Sequence, residues 1–468
     1  MGPGVRHGLT YGNRKVMTER FELLATMLAT AALCGCDNRV ADTQRPLVVA
    51  VSGDTDGRIV PCGCAANQSG GLPRRATYIE QLREDNEVIA ADVGGAPSGN
   101  SLYQRLKFEA IARGEVAMHV DAHNIGAAEA ALGAEYLRKM AKETGLPLVS
   151  ANVVDAEGQR LAEPMRIVEA AGRKVALLGV LSESFASGDV QVLPPHQAIL
   201  DALDAVPETC DSVVVLAYLG EDELIELAGT LPEVDLLLGG PTGQPIPPKR
   251  FGPTVLASAT KEGKFIVELS APSAGNSQHW EGRIVEMGEK FEDDSRQLEN
   301  VRQFYAELAR RDLTPQQTSF AAALPRELPK GYSVAGSESC RRCHEQEYLA
   351  FEASKHAAAW TSLQNKGAQV DPDCQRCHTT GYGLPGGFQS IGRSPRRVGV
   401  GCESCHGPSK GHAEDPLTHT THYAAAANHC TGCHDRENSP KFDHDTYWSS
   451  ISHGRQTTPD QNEPSEEE

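Results

Sequence analysis

The sequence lacks an excess of positive charge, and it lacks long apolar runs. Its 468 residues carry 44 Lys and Arg against 63 Asp and Glu, a formal net charge of −19 at pH 7. Phosphate backbones repel an anionic surface, so this charge argues against a nucleic-acid partner. The apolar residues 23–33 are too few to span a bilayer, and no other segment reaches spanning length. A hydrophobic content of 40% indicates a folded chain, and the length predicts two or three domains.

Four copies of the pattern Cys-x-x-Cys-His lie in the last third of the chain. Two thiols three positions apart can each form a thioether with a haem vinyl group, and the following His then lies under the iron. Paired zinc knuckles also use Cys-x-x-Cys, but they do not require a His directly after the second Cys. The pattern therefore predicts four haem c groups with proximal ligands His344, His378, His406 and His434. The attachment cysteines are Cys340, Cys343, Cys374, Cys377, Cys402, Cys405, Cys430 and Cys433.

The N-terminal segment has the features of an export signal. Three basic residues precede the apolar residues 23–33, as in a secretory signal peptide. The sequence Leu-Cys-Gly that precedes Cys36 resembles a bacterial lipobox, which implies cleavage before Cys36 and its acylation. Ordinary cleavage, which leaves a soluble periplasmic protein, is the alternative. We expect residues 1–36 to be a signal or lipoprotein segment and the protein to lie in the periplasm or cell envelope, with Cys36 anchoring it to a membrane.

Residues 46–290 alternate between β-rich runs and helical patterns, which predicts a layered α/β domain. The predicted strands are 47–51, 88–93, 146–149, 175–180, 213–216 and 234–238, with shorter ones at 254–258, 265–269 and 282–287. The predicted helices are 101–112, 127–142, 196–205 and 222–231. A helical linker is expected over 291–335, a mainly α, haem-packed cytochrome domain over 336–454, and a disordered Gln/Glu/Pro/Ser-rich tail over 455–468.

Short glycine- and aspartate-rich motifs follow the predicted strands of the α/β part. They read S-G-D-T-D-G from Ser52, G-G-L-P-R-R-A from Gly70 and I-A-A-D-V-G-G from Ile89. These motifs resemble the opening of a 5′-nucleotidase-type metallophosphoesterase, and the resemblance extends over most of residues 46–290. It implies a metallophosphoesterase-like fold.

Most metal ligands that the resemblance implies are replaced in this chain. Two metals about 3.5–4 Å apart need several carboxylate, Asn and His ligands. Asp54 of the first motif is kept. The other implied positions carry Asp56, Gly95, Ala127, Ala128, Tyr218 and Pro241. Because metal catalysis needs an intact ligand set, we expect the fold to be retained and the hydrolase activity to be lost.

A Cys-Gly-Cys motif, formed by Cys62 and Cys64, follows the first predicted strand. Thiolates suit Zn, Cu(I) or sulfur chemistry, so one hypothesis is a redox pair or a soft-metal site beside Asp54 and Asp56. A structural disulfide elsewhere, or two inert thiols, is the other.

The segments around the haem motifs resemble the tetrahaem cytochrome c-554 family. The resemblance rests on Ser354-Lys-His356-Ala, Cys377-His-Thr-Thr-Gly-Tyr382, residues 402–412 and the segment ending in His453-Gly, and it covers about 336–454. It implies closely packed haems with two His ligands at most irons. The distal candidates are His356, His412 and His453, and His412 is expected to reach a haem other than that of His406. A fourth distal ligand could come from His419, His422, His429 or His444; otherwise one iron is five-coordinate or weakly ligated.

These features predict electron transfer through a haem array, either between redox partner proteins or to a small-molecule substrate. One alternative is a multihaem oxidoreductase that acts on a small nitrogen or sulfur compound, at an open haem or at Cys62 and Cys64. A less favoured alternative is a metal-dependent phosphohydrolase with an attached electron-transfer module. The sequence leaves open whether the protein is an enzyme.

Overall fold

Two six-stranded sheets form the centre of the α/β part. The computed structural model describes Met1 and residues 45–61, 68–273, 279–421, 430–436 and 438–453. Apolar runs become its central strands because both faces of a parallel sheet are covered; Leu47–Ser52, for example, is buried at all six positions.

The strands follow one another along the chain with helices between them. They are β1 (Leu47–Ser52), β2 (Glu87–Asp92), β3 (Ala122–Asn124), β4 (Leu148–Val149), β5 (Val153–Val154), β6 (Met165–Ala170), β7 (Arg173–Leu181), β8 (Gln191–Val192), β9 (Ser212–Tyr218), β10 (Leu236–Gly240), β11 (Ile246–Phe251), β12 (Thr254–Ser258), β13 (Phe265–Ser270) and β14 (Glu281–Glu286). The spatial orders are β14-β13-β1-β2-β3-β4 and β11-β12-β10-β9-β7-β6, and β5 pairs with β8. Strands β1 to β4 are mutually parallel, as are β7, β9, β10 and β12.

Apart from the four-residue α3, the helices of the α/β part are longer than the described helices of the cytochrome part. In the first part they are α1 (Leu72–Asp85), α2 (Leu102–Ala117), α3 (Ala127–Ala130), α4 (Ala134–Thr144), α5 (Pro195–Leu203), α6 (Glu221–Thr230) and α7 (Ser295–Arg311). After these come α8 (Ser337–Cys340), α9 (Glu345–Glu352), α10 (Ala359–Gln364), α11 (Pro372–His378), α12 (Cys402–His406), α13 (Lys410–Glu414) and α14 (His444–Trp448). No helix among the described residues is long and apolar enough to cross a membrane.

The two sheets pack face to face between outer layers of helices. One core cluster joins apolar residues of both sheets, such as Val49 on β1 and Leu177 on β7. A second core lies between the other face of the second sheet and helices α5 and α6, and includes Ile199 and Leu224. The predicted α/β class, with a mainly α region after it, is confirmed.

Several element boundaries differ from the sequence prediction. The single helix predicted over 127–142 is wrong, because the chain breaks between α3 and α4 at Gly133, where φ is 86°. Strand β3 was not predicted, since three residues carry too little periodicity. Strand β11 was missed because it contains two prolines, which a strand accepts at the edge of a sheet, where β11 lies.

Helix α7 lies within the predicted linker and packs on the α/β part. Its N-cap Asp294 accepts a hydrogen bond from the Gln297 amide at 2.9 Å. The side chains of Val301, Phe304 and Leu308 recur at helical spacing and are buried in the core that contains α1 and α2. The described residues from Pro46 onward form one compact unit, in which the cytochrome part contacts the α/β part.

Candidate functional site

Each Cys-x-x-Cys-His motif forms one helical turn. The first motif follows α8, the second ends α11 and the third forms α12. In the first and fourth motifs the His amide donates to the carbonyl of the first Cys, from His344 to Cys340 at 3.0 Å and from His434 to Cys430 at 2.8 Å. Residues three and four apart lie on one face of a helical turn, so the turn presents both thiols and the imidazole together.

Three motif histidines face a histidine from outside their own motif. The ring centroids are 6.4 Å apart for His344 and His412, 6.1 Å for His434 and His356, and 6.0 Å for His406 and His453. All three predicted distal candidates occur in these pairs. His412 lies opposite His344 and not opposite His406, the motif histidine nearest to it in sequence.

The geometry of these pairs fits a haem iron held between two imidazoles. A metal binds an imidazole nitrogen at about 2 Å, so two rings on opposite sides of one metal have centroids roughly 6 Å apart. Burial lowers the pKa of His356, His406 and His434, with a neighbouring His adding to the effect at His356 and His406. The neutral imidazole that this favours is the form that binds metal.

Hydrogen bonds at Nδ1 orient several of these rings. The Nδ1 atoms of His378, His412 and His453 lie 2.8 to 2.9 Å from the carbonyl oxygens of Ala359, His419 and Ile451, respectively. A carbonyl oxygen only accepts, so Nδ1 carries the proton and Nε2 is left with its lone pair. His434 Nδ1 lies 2.8 Å from the Ser439 hydroxyl. Partners of this kind fix the tautomer and the ring orientation of metal-binding histidines.

His378 is the motif histidine with no facing histidine among the described residues. The two weaker candidates that the structure describes lie elsewhere: the His419 carbonyl accepts from His412, and His444 stacks on Trp448 with centroids 5.5 Å apart. His422 and His429 lie outside the described residues.

Motif cysteines from different motifs lie side by side. Cys340 lies beside Cys402 and lowers the pKa of Cys402 to about 6, and Cys377 likewise lies beside Cys433 and lowers the pKa of Cys433. The first and third motifs are therefore neighbours, as are the second and fourth. The buried Glu403 carboxylate, within the third motif, connects it to the segment before the first motif. It accepts hydrogen bonds from the backbone amides of Ala335 at 2.8 Å and Gly336 at 2.6 Å.

The phosphoesterase-like site lies at the carboxyl ends of the parallel strands. Asp54, just after β1, adopts a left-handed backbone with φ of 52°. Its carboxylate accepts hydrogen bonds from the Thr260 hydroxyl at 2.8 Å and from the Tyr218 hydroxyl at 3.3 Å. Burial raises the pKa of Tyr218, and Asp54 raises it further, so the phenol stays protonated and donates to Asp54.

The Tyr218 ring fills the space where metal ligands are implied. A Cβ added to Gly95 would lie 2.7 Å from Tyr218 Cε2, and one added to Gly126 would lie 2.9 Å from Tyr218 Cδ2. A residue with a carboxylate side chain at position 95 would clash with the Tyr218 ring in this position. The residues present at this edge therefore do not fit a dinuclear metal centre.

A buried charge network lies beneath this edge, and the sequence did not indicate it. The Glu129 carboxylate accepts hydrogen bonds from the backbone amides of Gly95 at 2.9 Å and Ala96 at 2.8 Å. His123 lies between Glu115, 2.6 Å from Nδ1, and Glu129, 3.1 Å from Nε2. Glu115 lies on α2, His123 on β3 and Glu129 on α3, so no motif spacing connects them.

Asp92, Glu115 and His123 offer atoms within 4.8 Å of one another, an arrangement compatible with a metal ion. The Arg75 guanidinium already lies there, 3.3 Å from Asp92 and 3.7 Å from Glu115. Burial raises the pKa of Glu115, and the Glu115 and Glu129 carboxylates hold the pKa of His123 well above its usual value although burial alone lowers it. Two cations thus balance the carboxylates without a metal.

Three predicted site residues, Cys36, Cys62 and Cys64, lie outside the described residues. Within the described part, the motifs define a haem-binding c-type cytochrome region, and the two sheets define a metallophosphoesterase-like region.

Comparisons with known proteins support this division. Residues 339–407 match the family described as "Cytochrome c554 and c-prime". The cytochrome c-554 of Nitrosomonas europaea is 34% identical over 104 residues, which is 18% of this chain and 44% of that protein. A 5′-nucleotidase of Vibrio cholerae is 26% identical over 250 residues, which is 46% of this chain and 44% of that protein. The chain thus spans less than half the length of both curated relatives.

A solved structure shows the fold of the first region. The 5′-nucleotidase precursor of Thermus thermophilus superposes with a TM-score of 0.50 at 19% identity, covering 57% of this chain and 60% of that one. Both family resemblances stated from the sequence are confirmed. The C-terminal region is similar to the cytochrome c554 family over residues 339–407, and the N-terminal region has the metallophosphoesterase-like fold.

Proposed function

We propose that the protein is an exported tetrahaem c-type cytochrome that transfers electrons between redox partner proteins. The observation that carries the proposal is the set of three facing histidine pairs, each joining a motif to a histidine outside it. Bound haem would supply one-electron chemistry at potentials set by axial ligands, hydrogen bonds and burial. The neighbouring thiols of motifs one and three, and of two and four, support close spacing of the cofactors.

The residues of the chain would hold and orient the haems. The eight motif cysteines would form the thioether bonds, and the three facing histidine pairs would supply imidazole ligands to three of the haems. The carbonyls of His419 and Ile451 fix the rings of His412 and His453, so ligation does not require these rings to reorient during electron transfer.

Mass spectrometry tests haem number. The exported protein should exceed its processed polypeptide by four haem masses. Replacing Cys374 and Cys377 with Ser should remove one haem and leave three, whereas the matched double substitution at Cys62 and Cys64 should leave four. A denatured protein without haem peroxidase staining would overturn the proposal.

A second function, binding or conversion of a small nitrogen or sulfur compound, is favoured by one observation. His378 faces no histidine among the described residues, so the haem of the second motif would have an open sixth position unless His422 or His429 supplies a ligand. A small molecule that binds an open iron can react there if the distal pocket supports it.

Spectroscopy of the oxidised protein separates relay from small-molecule binding. One high-spin haem in four, which shifts on adding nitric oxide or cyanide, is the expected result. His356→Ala should create a second such signal by removing the ligand opposite His434. A uniformly low-spin spectrum that neither compound alters would leave electron relay as the only haem role.

Membrane attachment through Cys36 is part of the proposal. An acylated protein should fractionate with membranes, and Cys36→Ala should abolish lipid labelling. Release of native protein into the soluble periplasmic fraction without lipid would instead support ordinary cleavage. The contribution of Cys62 and Cys64 remains a hypothesis, either as a redox pair or soft-metal site or as structural thiols.

A further inference from the structure

Helix α11, which carries the second haem motif, is held by the α/β region. The hydroxyl of Tyr103 on α2 donates to the Asp371 carboxylate at 2.6 Å, and Tyr103 is fully buried. Asp371 is in turn the N-cap of α11 and accepts from the Asp373 amide at 3.0 Å. The phosphoesterase-like region therefore fixes the first turn of the helix that ends at His378.

A buried cation accompanies this contact. The Lys107 ammonium, one turn after Tyr103, lies 3.6 Å from the Asp373 carboxylate and 5.1 Å from the centre of the Tyr103 ring. The Lys107 side chain is 8% exposed. Asp373 directly precedes Cys374, so the charge lies beside a haem attachment residue, where solvent screens it weakly.

Asp373 lies between two basic side chains. Asp373 also pairs with Arg376 at 2.9 Å, and Lys107, Arg376 and Arg58 together hold its pKa below the usual range although burial opposes this. Burial raises the pKa of the neighbouring Asp371, which favours its neutral form. Two cations, Lys107 and Arg376, therefore lie beside the ionised Asp373 carboxylate.

We propose that Tyr103 and Lys107 are positioning residues for the second-motif haem, and that the Lys107 charge raises the reduction potential of this haem above its value without the charge. Reduction adds an electron to the haem, so a fixed nearby cation favours the reduced state. The α/β region, whose hydrolytic ligands are replaced, thus acts as a scaffold that tunes one haem. The inference rests on the proposed attachment of haem at Cys374 and Cys377.

The test is a potentiometric titration of the intact, exported protein. Each haem contributes one redox component to the titration. The component of the second-motif haem is the one whose midpoint potential changes in His378→Met, because Met ligation raises a haem potential. In Lys107→Met this component should shift to lower potential while the other three stay in place. Asp373→Asn should shift the same component upward, and Lys107→Arg, which keeps the charge, should restore the native value.

Lys139→Met is the matched control, since Lys139 also pairs with a carboxylate on the α/β region but is 69% exposed. It should leave all four components unchanged. An unchanged second component in both Lys107→Met and Asp373→Asn, with four haems attached, would overturn the inference. An equal shift of all components would also overturn it, because that outcome indicates general loosening. If Lys107→Met does not fold, the upward shift in Asp373→Asn decides the question. Loss of the second-motif haem from the native protein would refute the proposed function itself.

Discussion

The α/β region and the cytochrome region differ in what fills their cores. Residues 46–290 bury dozens of apolar side chains between and outside the two sheets. From residue 336 onward, the buried hydrophobic side chains of the described chain are Tyr348, Leu363, Ala368, Tyr382 and Phe388. So small an apolar core cannot offset the conformational entropy of more than a hundred residues. The difference indicates that haem is a structural part of the second region.

The two regions also differ in what has happened to their metal chemistry. In the cytochrome region three pairs of imidazoles face each other at distances that suit a metal. In the α/β region the Tyr218 ring fills the space beside Gly95 where metal ligands are implied. The Arg75 guanidinium pairs with the buried carboxylates of Asp92 and Glu115 nearby. The cytochrome region thus combines facing histidines with a small apolar core. The α/β region combines a large apolar core with an edge whose residues do not fit a dinuclear metal centre.

The largest expected effect comes from preventing haem attachment. Protein produced where covalent attachment does not occur should keep slow amide exchange in strands β1, β7 and β9, while residues 336–453 exchange rapidly. Hydrogen exchange measured by mass spectrometry tests this. Equal protection of both regions would show that the cytochrome region folds on its own core.

Removing Arg75 should sharply destabilise the α/β region. Arg75→Met leaves Asp92 buried without its cation and leaves Glu115 with His123 alone, and deletion of one partner of a buried ion pair costs about 3–5 kcal/mol. Denaturant unfolding followed in the α/β region measures the change. Arg302→Met is the control, because Arg302 also pairs with a carboxylate, Glu299, but both are exposed. The interpretation of the network fails if the two variants lose similar stability.

The stability of the α/β region should fall as the pH rises above neutrality. The carboxylates of Glu115 and Glu129 hold the pKa of His123 above 6.5 in the folded state. Its stabilising contribution is therefore complete below about pH 6.5 and is lost, at up to about 1.4 kcal/mol per pH unit, as the pH rises towards the folded pKa. His123→Gln should remove this slope in denaturant titrations between pH 6.5 and 9. A slope that persists in the variant would assign it to other groups.

The smallest expected effect is that of added metal on phosphatase activity. Because Tyr218 fills the site beside Gly95, neither Mn nor Zn should stimulate phosphate release from nucleotides. Tyr218→His, which introduces one implied ligand, should also stay inactive, since Gly95 and Pro241 still provide none. Robust metal-dependent turnover by the native protein would show that the ligand set is not lost.

Prediction from sequence succeeded where short-range spacing carries the information. The strands β1, β7 and β9 are continuous apolar runs, so their periodicity indicated them directly. The break at Gly133 and the edge strand β11 were not predicted, because tertiary packing decides them. The network around His123 was also missed, since its members come from separate strands and helices.

The sequence by itself predicted the haem-attachment chemistry, because each motif places two thiols and an imidazole within five residues. It also predicted that hydrolytic ligands are replaced, since glycine at position 95 has no side chain that could bind a metal. Only the tertiary structure decided that His412 faces His344, and that His378 faces no histidine among the described residues. These relations join segments far apart in the chain, where packing rather than local spacing sets the distance between side chains.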